Sequence, residues 1–293
     1  MAAKRGENMN KIHIPTKEEF IKGIEEFEKH EKRDAMYKVA TFLISYFWGN
    51  PSEMADGLGV LLLTWNQAFY RYGNFDFDKL EECIKNNLEK LEKYRNRDIT
   101  TLSKSDESDI KSIFSEFMEA LQIDTIKFSE SNKRKYTIEN LKKLLNEWNI
   151  KFSGNDTKSI YESIKSDEKI KDAIEFIKTP KRNYIQITIS RLKESEIVIL
   201  KKYNLIMKSP VAVAKALHLL APKFFPLWDV RIAEAYGCYY NSYPAEKYIR
   251  FMKLMKEFAE KVKDYVTMSN YQNKTLLKLI DEYNYSKYTK KWI

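Results

Sequence analysis

The sequence predicts an all-helical protein. Only 8 of the 293 residues are glycine and 7 are proline, so tight turns are few. Lysine, glutamate, leucine and isoleucine are abundant, and apolar residues recur at helical spacing along most of the chain. A hydrophobic content of 43% is ample for a large core. We therefore expect a multi-helix globular fold of about a dozen helices, with two apolar helices at its centre.

Capping residues and breakers define the first helices. Thr16 and Glu19 form a capping box for the first helix. A second, amphipathic helix is predicted from Asp34 to the Gly-Asn-Pro break at residues 49–51. The segment 57–72 is the most hydrophobic of the chain, and we expect it to form one of the two central helices.

Two further helices are predicted before the middle of the chain. Asp76 or Asp78 is expected to cap a helix that runs to about Arg95, because aspartate is a favoured N-cap residue. Another helix should begin at Ser105 or Asp106.

Composition divides the chain into three parts. Residues 123–208 are richer in Lys, Ser, Asn and Ile than the rest, and their elements are shorter. We expect a basic helical insertion or subdomain here, between an N-terminal helical part, 1–122, and a C-terminal helical part, 209–293. Isoleucines that alternate with polar residues leave one short strand near 184–189 as an alternative to helix.

The charge is unevenly distributed. Residues 1–122 hold 18 basic and 22 acidic side chains, whereas residues 123–293 hold 33 basic and 20 acidic ones. A basic half is the electrostatic footprint of a protein that binds a polyanion, most often nucleic acid. An A·T-rich genome or a hot habitat would also produce a lysine-rich chain. The candidate phosphate contacts are Lys133, Arg134, Lys135, Lys181 and Arg182.

Several classes of protein are disfavoured by the sequence. The two cysteines, Cys83 and Cys238, provide no disulfide framework, and neither they nor the three histidines show metal-ligand spacing. We therefore expect no bound metal and no cofactor. No apolar run approaches the roughly 20 residues that cross a bilayer, so we expect a cytoplasmic protein without a membrane partner.

The second central helix is predicted over residues 210–221. Ser209 can cap it, and Pro210 suits its first position because proline lacks the amide that would otherwise be unpaired. Lys215 and His218 lie three positions apart in this apolar segment and so share one side of the helix. Each of these polar side chains needs a partner or a wet cleft.

Asp229 follows this helix after a short aromatic connection and can cap a second, shorter helix that ends at Gly237. In a structural interpretation, Lys215 extends to solvent, His218 is hydrogen-bonded in the core, and Asp229 is only a cap. In a functional interpretation, Lys215 and Asp229 line one pocket. Desolvation would then lower the lysine pKa towards a nucleophilic amine, and the aspartate could stabilise a developing cation.

Residues 209–237 resemble the end of the helix-hairpin-helix motif of base-excision DNA glycosylases. The resemblance rests on the spacing from Pro210 to Lys215, followed by Phe225-Pro226 and Asp229. It implies a nucleic-acid partner, with DNA favoured over RNA, and catalytic roles for Lys215 and Asp229. Lys215 would attack the sugar C1′ or activate a water, while Asp229 would support the charge that develops.

A second cluster of candidate residues lies in the first central helix. Trp65, Asn66 and Gln67 place an aromatic ring beside two amides in an apolar segment. Such a group forms either a buried hydrogen-bond network or the lining of a base-sized pocket. The residues expected to bind substrate are Trp65, Asn66, Gln67, His218, Trp228 and Arg231.

Two other functions stay open at the level of sequence. Val211 and Val213 stand where the hairpin motif has glycines, whose bare backbone approaches a DNA phosphate. A non-catalytic DNA- or RNA-binding protein on the same scaffold is therefore the second hypothesis. The third is a helical protein-interaction module, which would show no affinity for polyanions.

Overall fold

The computed structural model of this protein describes residues 12–31, 34–66, 75–124, 206–271 and 274–293. Within these ranges the prediction of an all-helical fold is confirmed. Nine α-helices are present there: α1 (Lys17–His30), α2 (Asp34–Tyr46), α3 (Pro51–Trp65), α4 (Phe77–Arg95), α5 (Glu107–Ala120), α6 (Pro210–Leu220), α7 (Val230–Ala235), α8 (Pro244–Val262) and α9 (Leu276–Asn284).

Shorter elements join or extend these helices. In the described ranges, 3₁₀ turns occur at Ile99–Thr101, Lys104–Asp106, Lys263–Tyr265 and Met268–Asn270, and a π-helix, Tyr285–Lys290, continues α9. Strands β1 (Ile123–Asp124) and β2 (Ile206–Met207) are antiparallel neighbours of two residues each. The strand considered near 184–189 and nearly all of the predicted insertion, 123–208, lie outside the described residues. The three-part division of the chain stays a prediction.

The predicted caps are present where local sequence specifies them. The Thr16 hydroxyl accepts the Glu19 amide at the start of α1, at 3.2 Å, but the Glu19 carboxylate contacts Tyr283 and Lys287 and does not complete the predicted capping box. Asp76 rather than Asp78 caps α4, and Ser209 caps α6 by accepting the Ala212 amide at 3.3 Å. These bonds satisfy amides that have no partner inside a helix.

The first central helix begins and ends earlier in the chain than the predicted segment 57–72. Over the described residues, α3 begins at Pro51 and ends at Trp65, because Asn66 adopts an extended backbone conformation with φ −103° and ψ 108°. Side chains from the second central segment hold this end: Lys215 Nζ donates to the Trp65 carbonyl and Asn66 Nδ2 donates to Ser209 Oγ. The end of α3 is therefore determined by tertiary contacts, which cannot be predicted from the sequence of the helix alone.

Helices α3 and α6 lie in one hydrophobic core that both terminal parts of the chain build. Leu58 and Leu61 of α3 and Ala212 and Leu217 of α6 are fully buried in it. Helix α6 packs against α2, α3 and α5. This position explains its apolar character on nearly every face.

A glycine allows α9 to lie close to α1. A Cβ added at Gly23 would stand 2.7 Å from Cδ2 of Tyr283, so a larger residue would force the two helices apart. Beside it, Ser286 Oγ donates to the Gly23 carbonyl at 2.7 Å. The close contact brings α9 and the π-helix next to the ends of α1 and α3.

None of the helices in the described ranges is both long enough and apolar enough to span a membrane.

Candidate functional site

A cavity of about 460 Å³ opens where α1, α3, α6, α9, the π-helix and the N-terminus of α7 meet. Its volume lies in the range of small-molecule sites. Aromatic rings form much of its wall, and they come from Phe27, Trp65, Trp228, Tyr240 and Tyr285. Charged side chains also line it: Glu31, Lys215, Asp229, Arg231 and Asp281. The structure thus brings together Lys215 and Asp229, which the sequence places on different helices.

Lys215 joins the cavity to the end of α3. Its half-buried side chain lines the cavity, and its Nζ donates to the Trp65 carbonyl at 2.8 Å. That carbonyl belongs to the last residue of α3, where the helix dipole favours a cation. The lysine therefore has a structural contact at the edge of the space in which a ligand would bind.

Asp229 is held from two sides. Its Oδ1 accepts the Ile232 amide at 2.7 Å, so its predicted role as the cap of α7 is confirmed. Its Oδ2 accepts a hydrogen bond from the Thr289 hydroxyl, also at 2.7 Å. Both donors are neutral, so the carboxylate is oriented without being neutralised by a direct ion pair in these contacts.

Asp281 is a third acidic wall residue, and the sequence does not predict it for the site. It lies on α9, and its side chain is 11% exposed. Burial raises the pKa of Asp281 to about 7, Asp229 and Glu282 act in the same direction, and Lys278 and Lys215 oppose it. In sequence, Lys278, Asp281 and Glu282 look like an ordinary ion-pairing pattern on a helix surface.

Lys278 is a buried cation behind the aromatic wall. Its side chain is fully buried, and Nζ lies 2.9 Å from Glu282 Oε1 and 3.8 Å from Asp281 Oδ2. The same ammonium lies over the rings of Phe27, Tyr37 and Trp65, at 4.2, 5.0 and 5.3 Å from their centroids. Aromatic faces stabilise a cation through their quadrupoles. Two of these three rings, Phe27 and Trp65, also line the cavity.

The Trp65 and Asn66 cluster fits both interpretations offered by the sequence. Asn66 is 4% exposed and donates to Ser209 Oγ at 3.1 Å, which is a buried hydrogen bond. Trp65 is stacked on Tyr37, with ring centroids 6.0 Å apart. Both Trp65 and Asn66 also line the cavity. Gln67 lies outside the described residues.

Two more predicted substrate-binding residues line the cavity. Trp228 is 1% exposed and contacts Tyr240 edge-on, with ring centroids 4.9 Å apart. The side chain of Arg231 is 65% exposed and pairs with Glu234 at 2.9 Å, so its guanidinium stands at the rim. The predicted phosphate contacts Lys133, Arg134, Lys135, Lys181 and Arg182 fall outside the residues that the structure describes.

The structure does not bring His218 to the cavity. The side chain is completely buried, with Nδ1 2.7 Å from the Phe225 carbonyl and Nε2 2.9 Å from the Tyr37 hydroxyl. Because a carbonyl can only accept, Nδ1 carries the proton and Nε2 accepts from Tyr37. Burial lowers the pKa of His218 to about 3. It is therefore a neutral, hydrogen-bonded core histidine rather than a substrate-binding group.

Replacing His218 by alanine is expected to destabilise the protein by about 2–4 kcal/mol, because the Phe225 carbonyl and the Tyr37 hydroxyl lose their partner in the core. Urea unfolding at pH 7 measures this cost. His30→Ala is the control, since His30 is 41% exposed and its replacement should cost under about 0.5 kcal/mol.

The stability of the wild type should also depend on pH through His218, because this histidine binds a proton near pH 6.5 in the unfolded chain. Wild-type stability should therefore fall between about pH 6.5 and 3 more steeply than that of the variant.

The chain matches no protein-family model, and no curated protein or solved structure matches it. Within the described ranges, no group of three or more His, Cys, Asp or Glu side chains is arranged to hold a metal ion.

Proposed function

We propose that this protein binds DNA and removes a base by cleaving its N-glycosidic bond, with Lys215 as nucleophile and Asp229 in an assisting role. The observation that carries the proposal is that Lys215 and Asp229 line the same aromatic-walled cavity of about 460 Å³. Enzymes that act on a DNA base extrude the base from the DNA duplex. They hold it by stacking on aromatic side chains and by hydrogen bonds to the edge of the base. Trp65, Trp228 and Tyr240 supply aromatic surface in this cavity, and Asn66 supplies an amide.

In this mechanism the amine of Lys215 attacks C1′ of the sugar. The bond from C1′ to Nζ forms while the bond from C1′ to the base breaks, and the base leaves with the electron pair and takes up a proton. Positive charge develops on the sugar as the base departs. Asp229 suits the role of stabilising it, because the Ile232 amide and the Thr289 hydroxyl keep its carboxylate in a fixed position at the cavity wall.

A second candidate function is a nucleic-acid-binding protein without catalysis. It is favoured by the contacts that Lys215 and Asp229 already make: the lysine donates to the end of α3, and the aspartate caps α7. Those contacts would then serve only to hold the helices together. The excess of basic side chains in residues 123–293 supports a polyanionic partner under either function.

Borohydride trapping separates the two functions. The purified protein is incubated with oligonucleotides that carry uracil, an oxidised purine, an alkylated base or an abasic site, and an RNA strand is included for comparison. Borohydride reduces the Schiff base between a lysine and the opened sugar to a stable adduct. We expect an adduct with at least one DNA substrate, accompanied by release of the free base from the substrates that carry one, and no adduct with Lys215→Gln.

Lys256→Gln is the matched control for this experiment. Lys256 Nζ also donates to a backbone carbonyl, that of Leu102 at 2.9 Å, but it does not line the cavity. This variant should be trapped as efficiently as the wild type. DNA binding that weakens with salt, without adduct or base release, would select the non-catalytic protein. Absence of all polyanion binding would contradict both functions and leave an interaction module.

A further inference from the structure

We propose that Asp281 is the acid that protonates the departing base and then recovers the proton released by Lys215. This inference rests on the proposed glycosylase function and assigns to that site a catalytic residue on a third element. Helix α9 begins at Leu276, 39 positions beyond Gly237, the last residue of the segment that resembles the glycosylase motif. The role of Asp281 is therefore inferred from the residues that line the cavity and not from the resemblance to glycosylases.

The position of Asp281 supports this role. Its carboxyl lines the cavity together with Lys215 and Asp229, and its side chain is 11% exposed. The charged groups that act on it come from every side of the cavity: Lys278 and Glu282 from its own helix, Lys215 from α6 and Asp229 from the start of α7. Glu31, at the end of α1, lines the same space. With Arg231 at the cavity rim, Asp281 thus shares this region with three cations and three other carboxylates.

The other two cavity carboxylates have different tasks. Asp229 accepts hydrogen bonds on both oxygens, from Ile232 and Thr289, which suits a group that stabilises charge. Glu31 accepts the Tyr285 hydroxyl at 3.3 Å. Burial raises the pKa of Asp281 to about 7, so this carboxyl holds a proton in a large fraction of molecules at neutral pH. A general acid works best with a pKa near the working pH.

Lys215 and Asp281 together supply and recover every proton that the reaction transfers. In the reactive state the lysine is a neutral amine and Asp281 carries the proton. Asp281 gives that proton to the base as the bond between C1′ and the base breaks, and Nζ forms its bond to C1′. The nitrogen, now positively charged, returns one proton to the Asp281 carboxylate. One proton has moved from the lysine to the base, and no other reactant is required.

The test compares two activities of Asp281→Asn. Trapping on DNA with a preformed abasic site needs the lysine but no base departure, so we expect it to stay within about threefold of wild type. Single-turnover release of an intact base should fall by about 10²–10⁴-fold, the contribution of a general acid. The wild-type rate should decline above about pH 7 as Asp281 ionises, and this decline should be missing from the pH profile of the variant.

Glu31→Gln is the matched control, because Glu31 is a cavity carboxylate that is only 8% exposed. Its pH profile should keep the decline near pH 7. Asp281→Glu, which retains an acid, should restore part of the lost rate. If the wild type neither traps DNA nor releases a base, the proposed function fails and the role of Asp281 fails with it. If the wild type is active and Asp281→Asn keeps both rate and profile, only the role of Asp281 is overturned.

The titration of Asp281 can also be checked without any activity. Its folded pKa of about 7 lies above the unfolded value near 3.9, so its ionisation opposes folding increasingly as the pH rises from about 4 to 7 and fully above that. Asp281→Asn should therefore have a higher urea midpoint than wild type at pH 8, and the difference should shrink towards pH 4. Equal differences at the two pH values would contradict a titrating Asp281.

Discussion

Replacing Glu282 by glutamine is expected to destabilise the protein by about 3–5 kcal/mol, the cost of breaking a buried ion pair by removing one partner. The side chain of Glu282 is fully buried in α9. Its Oε1 lies 2.9 Å from Lys278 Nζ and 2.9 Å from Lys274 Nζ. One carboxylate therefore bridges two lysines whose side chains are 0% and 5% exposed.

The large cost follows from what surrounds Lys278. Its ammonium lies against the rings of Phe27, Tyr37 and Trp65, and Asp281 Oδ2 is 3.8 Å away. Glutamine has nearly the shape of glutamate but carries no charge to offset the buried cations. The variant must therefore either hold a less compensated charge in the core or release a proton from a lysine. In both cases we expect Phe27 and Trp65 in the cavity wall to pack less tightly against Lys278.

Glu28→Gln provides a matched comparison. Glu28 pairs with the same Lys274 at 2.8 Å, but its side chain is 40% exposed. Water solvates the Glu28 carboxylate, and Lys274 keeps its contact with Glu282 when Glu28 is neutralised, so the loss should cost no more than about 1 kcal/mol. Urea unfolding of the two variants at pH 7 and moderate salt gives the difference directly. Equal losses of unfolding free energy in Glu282→Gln and Glu28→Gln would show that burial does not increase the contribution of the Glu282 ion pairs to stability.

Asp229→Asn is expected to slow base release by about 10²–10³-fold, the usual loss when one fixed electrostatic contact to a transition state is removed. The substitution isolates charge from structure. Asparagine is as good an N-cap residue as aspartate, so the bond to the Ile232 amide and the helix α7 should be retained. Stability should therefore change by less than about 1 kcal/mol while the rate falls.

Two companion variants separate the contributions of Asp229. Asp229→Ala removes both charge and cap, so it should lose the rate and also about 1 kcal/mol of stability. Thr289→Val removes only the hydroxyl that donates to Asp229 Oδ2, so a smaller loss of rate is expected. Rates come from single-turnover excision and stabilities from urea unfolding. If Asp229→Asn released base as fast as wild type, the assisting role of Asp229 would be wrong.

Local sequence was sufficient to predict helices α1 to α7 and most of their starts. Thr16, Asp76, Ser209 and Asp229 each accept an amide within three residues along the chain. Such contacts depend on neighbours that the sequence places within reach, so capping rules predict them. The apolar character of residues 210–221 likewise predicted a central helix, and α6 is buried in the core.

The sequence predicted a common cavity for Lys215 and Asp229 only as one of two interpretations. Helical spacing places a residue on a face of its own helix, but it does not show which faces meet. The turn between α6 and α7, the packing of α6 against α3 and the packing of α7 against the π-helix bring the two side chains to one cavity. The same packing sends His218, three residues after Lys215, to Tyr37 and Phe225 in the core.

By itself, then, the sequence determined the helical class, the caps, and the residue types available for chemistry. The tertiary structure alone decided that α3 ends at Trp65, that His218 is a neutral core residue and that Asp281 lines the site. The physical reason is that these properties depend on groups distant in the chain. Lys215 meets Trp65 across 150 positions, and His218 meets Tyr37 across 181. Burial and its effect on pKa arise only when such distant segments exclude water together.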